Sequence, residues 1–289
     1  MAAYDVMIYW DHGPVPDTVK GLFKRPTKFI SLGSPGSASG GHPNFTLDVD
    51  KWGWPHPIRN ILSQRMAGDE PLRVGLLGFS ASVNGVRRLL SSADGLLVDT
   101  AIAIDGITCE KVDSPLVRGA YLGPYVAMGK IAAFGPAAER VGAPCYGQKL
   151  VVITNSQAAA TTPSMETADA CSAEIAQKVL GGYPYTSSPL PDRMLSDTVY
   201  HPWTNHAGAI TWPDGGTTSF AERTYSMPPA LKAYDYVGDF CVLRYANVDP
   251  TSIGDHRYQG IVVLRQVLEA FVVERWNRLS PNQGTCVVV

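Results

Sequence analysis

An α/β fold, with a mainly parallel central sheet and helices on both faces, is predicted by three observations. Short apolar runs alternate with segments of helical spacing along the chain, the pattern of parallel sheets built from strand–helix–strand crossovers. One apolar strand, ending at Phe79, turns through Ser80 directly into the amphipathic segment Ala81 to Leu90. At 289 residues the chain buries a substantial core and suits one large domain with insertions.

Taken in order, Tyr4 to Trp10 is a first apolar strand, followed by Asp11-His12-Gly13-Pro14, a short helix near Asp17 to Lys24 and a second strand over Lys28 to Leu32. A Gly/Ser loop, residues 33–41, comes next, and Pro57 to Met66 has helical spacing with Pro near its start. Leu72 to Phe79 is the strand before Ser80, and Ala81 to Leu90 the helix after it. Leu96 to Ile104 reads as a strand, Val126 to Val141 as a helix, Leu150 to Ile153 as a short buried strand and Pro163 to Leu180 as a helix. Phe240 to Ala246 is the last strand and Tyr258 to Trp276 a long final helix. Gly181 to Val237 breaks the rhythm: it is rich in Pro, Tyr, Trp and Gly and too long for an ordinary connection. It is expected to be an irregular insertion, a lid or binding loop, within a single domain spanning 1–289; a structured cover over the core is the alternative.

Composition excludes several classes of function. With 24 basic and 26 acidic residues the chain lacks the electrostatic footprint of a nucleic-acid binder. The start has no basic region followed by a long apolar one, and no apolar run approaches membrane-spanning length. The expectation is a soluble chain without a secretory signal or membrane span; its compartment is not assigned, export by another route and a cytoplasmic location both being compatible. Cys109, Cys145, Cys171, Cys241 and Cys286 are scattered and odd in number, which argues against a disulfide framework or a structural zinc and for mostly buried thiols. Gly123-Pro-Tyr-Val-Ala-Met-Gly129-Lys130 departs from phosphate-loop spacing and ends in Ile131; no His-Glu-x-x-His and no strand-borne Gly-x-Gly-x-x-Gly occurs. No cofactor and no metal is expected.

Ser80 carries the chemistry. A serine on a sharp strand-to-helix turn presents its hydroxyl at the carboxyl edge of a parallel sheet, beside the next residue's backbone N–H. Small neighbours relieve the crowding, and Gly78 and Ser82 meet that need, although Ser82 stands where a glycine is usual. A serine nucleophile needs a base, an acid that orients the base, and donors for the developing oxyanion. All must come from loops after strands. His256, in Gly254-Asp-His-Arg-Tyr-Gln-Gly260 between the last strand and the last helix, is the leading base, with His201 and His206 in the insertion as rivals. Asp105 closes the strand Leu96 to Ile104 and is the leading acid; capping a turn with Gly106 is its plainer role, and Glu166 or Asp169 is the fallback. The oxyanion donors are the N–H of Ala81 and one from His12-Gly13 or from Gly33-Ser34.

The order strand-His12-Gly13, Gly78-Phe-Ser80-Ala-Ser82, strand-Asp105 and strand-His256-helix resembles the α/β-hydrolase superfamily over nearly the whole chain. Ala-Ile-Asp105-Gly106-Ile, Val151-Val-Ile-Thr-Asn-Ser-Gln157 and Asp255-His256-Arg-Tyr-Gln are more loosely similar to serine hydrolases of bacteria and their bacteriophages. Cutinases and phage cell-wall esterases share this architecture. The resemblance implies an esterase with a Ser80-His256-Asp105 triad, no cofactor, and a small-molecule or cell-envelope ester as substrate. Trp203, Trp212 and His206 are the substrate-binding candidates, through stacking on sugars or covering an acyl chain, with plain packing of the insertion as the alternative. A peptidase or acyltransferase on the same triad, and a non-enzymatic virion or surface component with virion or homo-oligomeric partners, are the competing readings.

Overall fold

A computed structural model describes residues 2–11, 14–33, 44–107, 115–135, 149–156, 166–181, 186–191, 194, 203–205, 208–211, 217–220, 223–225, 231–247 and 253–278. Side chains are described for all of these except 115–117, 203–225 and 253–254.

The centre is a seven-stranded sheet. Its strands are β1 (Ala3–Tyr9), β2 (Thr27–Ser31), β3 (Glu70–Phe79), β4 (Val98–Ile104), β5 (Leu150–Asn155), β10 (Leu231–Val237) and β11 (Phe240–Tyr245). They lie in the order β10-β11-β5-β4-β3-β1-β2, and every neighbouring pair is parallel except β10 with β11. The inner strands are near-continuous apolar runs because helices cover both faces, so neither face of a strand meets water.

One face carries α2 (Phe45–Asp50), α3 (Pro57–Met66), α4 (Val83–Leu90), α5 (Pro115–Phe134) and α6 (Ala168–Leu180). Their apolar residues, among them Phe45, Ile61, Val86, Tyr125 and Ile175, bury Val6, Ile8, Leu76, Ala103 and Ile153 of the sheet. The other face is covered by α1 (Asp17–Lys20) and α7, a helical run from Ile253 to Arg278 with π-type stretches at Gln259–Val263 and Leu268–Val273. Val19, Val263, Val267 and Phe271 pack there on Met7, Leu77, Ile104 and Val152. The chain leaves β1 toward β2 on this second face and leaves β3 toward β4 on the first. The adjacent ends of β1 and β3 therefore form a topological switch point, where such sheets open a crevice at their carboxyl edge. Ser80 stands at that edge.

Several boundaries differ from the sequence expectation. The helix expected over Val126 to Val141 starts earlier, at Pro115, and stops at Phe134, because Gly135 takes a left-handed φ of 70° and its N–H closes on Ile131 O. The helix expected from Pro163 begins at Ala168, where the Thr167 hydroxyl accepts the N–H of Ala170 at 3.1 Å and caps it. α2 was not anticipated. The stretch 181–237 is not irregular throughout: Leu231–Val237 is the antiparallel edge strand β10. Within it, β6 (Trp203–Asn205) pairs with β9 (Arg223–Tyr225) and β7 (Gly208–Thr211) with β8 (Thr217–Phe220). The two antiparallel ladders are separate two-stranded sheets. Cys241 is a free buried thiol as expected, whereas Cys171 is disulfide-bonded and departs from that expectation.

Candidate active site

β3 delivers its last residue, Phe79, in an extended conformation, and Ser80 then takes a left-handed φ of 56° before a 3-10 turn over Ser80–Ser82 leads into α4. Serine adopts that φ at a cost of about 1–3 kcal/mol, and such strain persists only where the surroundings hold it. Here they do. A Cβ on Gly78 would lie 2.9 Å from the Val83 backbone, so only glycine lets strand and helix meet this closely. Ser82 is more than a small substitute for glycine: its Oγ accepts the N–H of Phe79 at 2.8 Å and donates to the carbonyl of Phe79 at 2.7 Å, bracing the turn from below. The Tyr125 hydroxyl donates to Val83 O at 3.0 Å and ties the start of α4 to α5; burial pushes this phenol far above its ordinary pKa, with Arg87 opposing weakly.

Asp105 follows β4, the strand next to β3, and also takes a positive φ, 46°. Its neighbour Gly106 is required by contact: a Cβ there would lie 2.0 Å from the Ser80 carbonyl oxygen. The Asp105 carboxylate is fully buried and saturated with donors. Oδ1 accepts the backbone N–H of Ser156 at 2.8 Å; Oδ2 accepts the Ser156 hydroxyl at 3.0 Å and sits 2.7 Å from His256 Nδ1. Ser156 stands just beyond β5, the next strand across. Sequence reasoning passed over it because that strand end offered no carboxylate; its contribution is as a donor.

His256 lies within the first turn of α7, not in a loop ahead of it, because the helix starts at Ile253. Its ring is 21% exposed and stacks on Phe79, with centroids 4.6 Å apart and planes at 22°. One helical turn on, Gly260 lies against the same Phe79 ring; a Cβ there would come within 2.5 Å of it. Phe79 is thus held under the imidazole, and Ser80, half-buried, is the next residue in the chain. The structure joins Asp105 to His256 and sets His256 beside the turn that carries Ser80.

The fallback acids are elsewhere. Glu166 pairs with Arg118 at 3.4 Å, and Asp169 sits in the first turn of α6. Ala81 is half-buried directly after Ser80. Gly13, His12, His201, His206 and Trp212 lie outside the described residues; Trp203 opens β6, whose backbone runs alongside the first turn of α7. Among the described residues no group of three or more His, Cys, Asp or Glu is arranged to hold a metal ion, and no helix is long and apolar enough to cross a membrane.

One further residue near the site was not anticipated. Gln259 is fully buried, and neither Oε1 nor Nε2 of its side chain has a hydrogen-bond partner among the described residues. A buried amide left unsatisfied costs about 1–3 kcal/mol. Gln259→Met is therefore expected to raise the free energy of unfolding by about 1–2 kcal/mol in urea titrations; a loss of stability would mean that the amide is satisfied in solution.

Comparison with protein-family models, with curated proteins and with solved structures finds no match for this chain.

Proposed function

We propose that the chain is a serine hydrolase of the α/β-hydrolase type, cleaving carboxylic esters through an acyl-enzyme on Ser80. The observation that carries this reading is the Asp105–His256 bond of 2.7 Å, made by a buried carboxylate at the end of the strand next to the one that ends in Ser80. A buried carboxylate on Nδ1 holds the imidazole in the tautomer whose Nε2 accepts a proton, which is what a general base for a serine hydroxyl requires.

In the proposed reaction Ser80 Oγ attacks the ester carbonyl carbon while His256 Nε2 takes its proton. The carbonyl oxygen becomes an oxyanion that accepts the Ala81 N–H, at the positive end of the turn leading into α4. Collapse of the tetrahedral intermediate breaks the bond to the alcohol oxygen, which leaves with the proton from the imidazolium. Water then gives a proton to His256 and attacks the acyl carbon, releasing the acid and restoring Ser80. Esters are favoured over amides because an alkoxide leaves with less help from protonation than an amine needs. The β6–β9 ladder, whose strand β6 runs beside the start of α7, is the element assigned to substrate binding and to covering the site.

An active-site fluorophosphonate tests this directly. It is expected to label the wild-type chain at Ser80 and to leave Ser80→Ala unlabelled. Absence of labelling on a folded wild-type protein would overturn the enzyme reading in favour of a scaffold role, and labelling at a different serine would overturn the assignment of Ser80.

A further inference from the structure

Away from Ser80, a cavity of about 270 Å³ opens between α6 and the β10–β11 edge of the sheet. Its helical wall is Ala173, Ala176, Gln177 and Leu180, and its sheet wall carries Asp235 and Arg244. The wall of α6 is one stripe of that helix, since positions three and four apart share a face. The alanines in it keep the helix from filling the gap to the strands.

The two charged residues are held on a rigid support. Asp235 pairs with Val242 and Arg244 with Ala233, so they are diagonal neighbours on one face of an antiparallel pair, about 7–8 Å apart at Cα. Opposite charges at that spacing usually bridge, yet among the described residues Arg244 and Asp235 make no ion pair, with each other or with any other group. Arg244 Nε is buried without a hydrogen-bond acceptor. A desolvated guanidinium N–H with no acceptor is costly, and a carboxylate matches its planar fork better than any other small ligand group except phosphate. Phosphate is disfavoured by the carboxylate of Asp235 across the same cavity, which instead suits a cation.

We propose that this groove binds a small zwitterion of the amino-acid type. The ligand's carboxylate lies on the Arg244 guanidinium, its ammonium faces Asp235, and its apolar part rests on Ala173, Ala176 and Leu180. The volume, slightly below the range of about 300–1,000 Å³ for drug-sized pockets, suits a single amino acid or a short peptide end.

Isothermal titration calorimetry of the full chain with L-leucine tests the proposal, with isovalerate and isoamylamine as analogues that keep one charge each. Saturable binding of L-leucine is expected, at least tenfold tighter than either analogue. Arg244→Gln and Asp235→Asn are each expected to weaken it at least tenfold. Ala173→Leu, at a half-buried and uncharged position of the groove wall, is expected to abolish binding by filling the groove while leaving the far-ultraviolet circular dichroism unchanged. Ser80→Ala is expected to bind L-leucine as wild type does. Lack of saturable binding, isovalerate binding as tightly as leucine, or undiminished binding by folded Ala173→Leu or Arg244→Gln protein would each overturn the proposal.

Discussion

Asp105→Asn is expected to lower kcat for ester hydrolysis about ten-thousandfold with little change in KM, a loss of about 5 kcal/mol of transition-state stabilisation. The size follows from the bonds around the carboxylate. Oδ1 accepts the backbone N–H of Ser156, a donor that cannot reverse, while Oδ2 faces His256 Nδ1. An asparagine must keep its oxygen toward Ser156, so its NH2 points at the imidazole. Nδ1 then becomes the acceptor and the proton moves to Nε2, which can no longer take one from a serine hydroxyl. Turning the amide over would set NH2 against the Ser156 N–H instead. Ser156→Ala removes only the hydroxyl bond to Oδ2 and keeps the backbone donor, so its expected cost is far smaller, about tenfold. Glu166→Gln, which touches Arg118 and not His256, is expected to leave kcat within about threefold. Steady-state kinetics on a chromogenic short-chain ester reads all three. If Asp105→Asn keeps kcat within tenfold of wild type, Asp105 is not the orienting acid.

Why these residues were partly legible follows from what each signal depends on. β1, β3, β4, β5 and β11 stand out because strands covered on both faces are unbroken apolar runs, as in Val98–Ile104, where every residue is buried. The edge strand β10 lacks that signal. Leu231–Val237 exposes Lys232 and Tyr234 and buries only Val237 fully, so its sequence reads as surface. The strands β6 to β9 are three or four residues each and depend on their partners for register, which no local pattern reports. Ser80 stands out as a candidate because its turn demands small neighbours, Gly78 among them, and Asp105 because it closes an apolar strand at the carboxyl edge of the sheet. Ser156 was not, since a hydroxyl at a strand end is unremarkable until a carboxylate from the adjacent strand turns toward it. His256 is the leading base candidate but reads as a loop residue in the sequence, because Asp255 and His256 are polar residues in the first turn of a helix whose apolar spacing begins only later. The disulfide at Cys171 leaves no mark in the spacing of the cysteines.

The edge of the sheet opposite Ser80 carries the largest expected effect on stability. Asp5 of β1 and Arg73 of β3 are register partners, buried to 0% and 4% exposure. Arg73 Nε donates to Asp5 Oδ1 at 2.8 Å and Nη2 to Oδ2 at 2.5 Å, a bidentate pair; Nη2 also donates to Trp276 O at 2.8 Å near the end of α7. The guanidinium lies 5.3 Å from the centre of the Trp276 ring. One arginine therefore ties two strands to the helix whose other end carries His256. Asp5→Ala strands that guanidinium in the core without a counter-charge, and the unfolding free energy is expected to fall by about 3–5 kcal/mol. The pair as a whole need not be stabilising, since removing both charges saves two desolvation penalties. The double variant Asp5→Leu with Arg73→Met is expected to recover most of the loss. Urea unfolding of the three proteins measures this, and a single Asp5→Ala loss below about 1 kcal/mol would mean that water reaches the guanidinium. Because the Ser80 turn is braced by its own contacts at Ser82, Val83 and Gly106, the kcat of folded Asp5→Ala is expected to match wild type. A parallel fall in kcat would instead mean that α7 transmits the loss of its Trp276 anchor to His256.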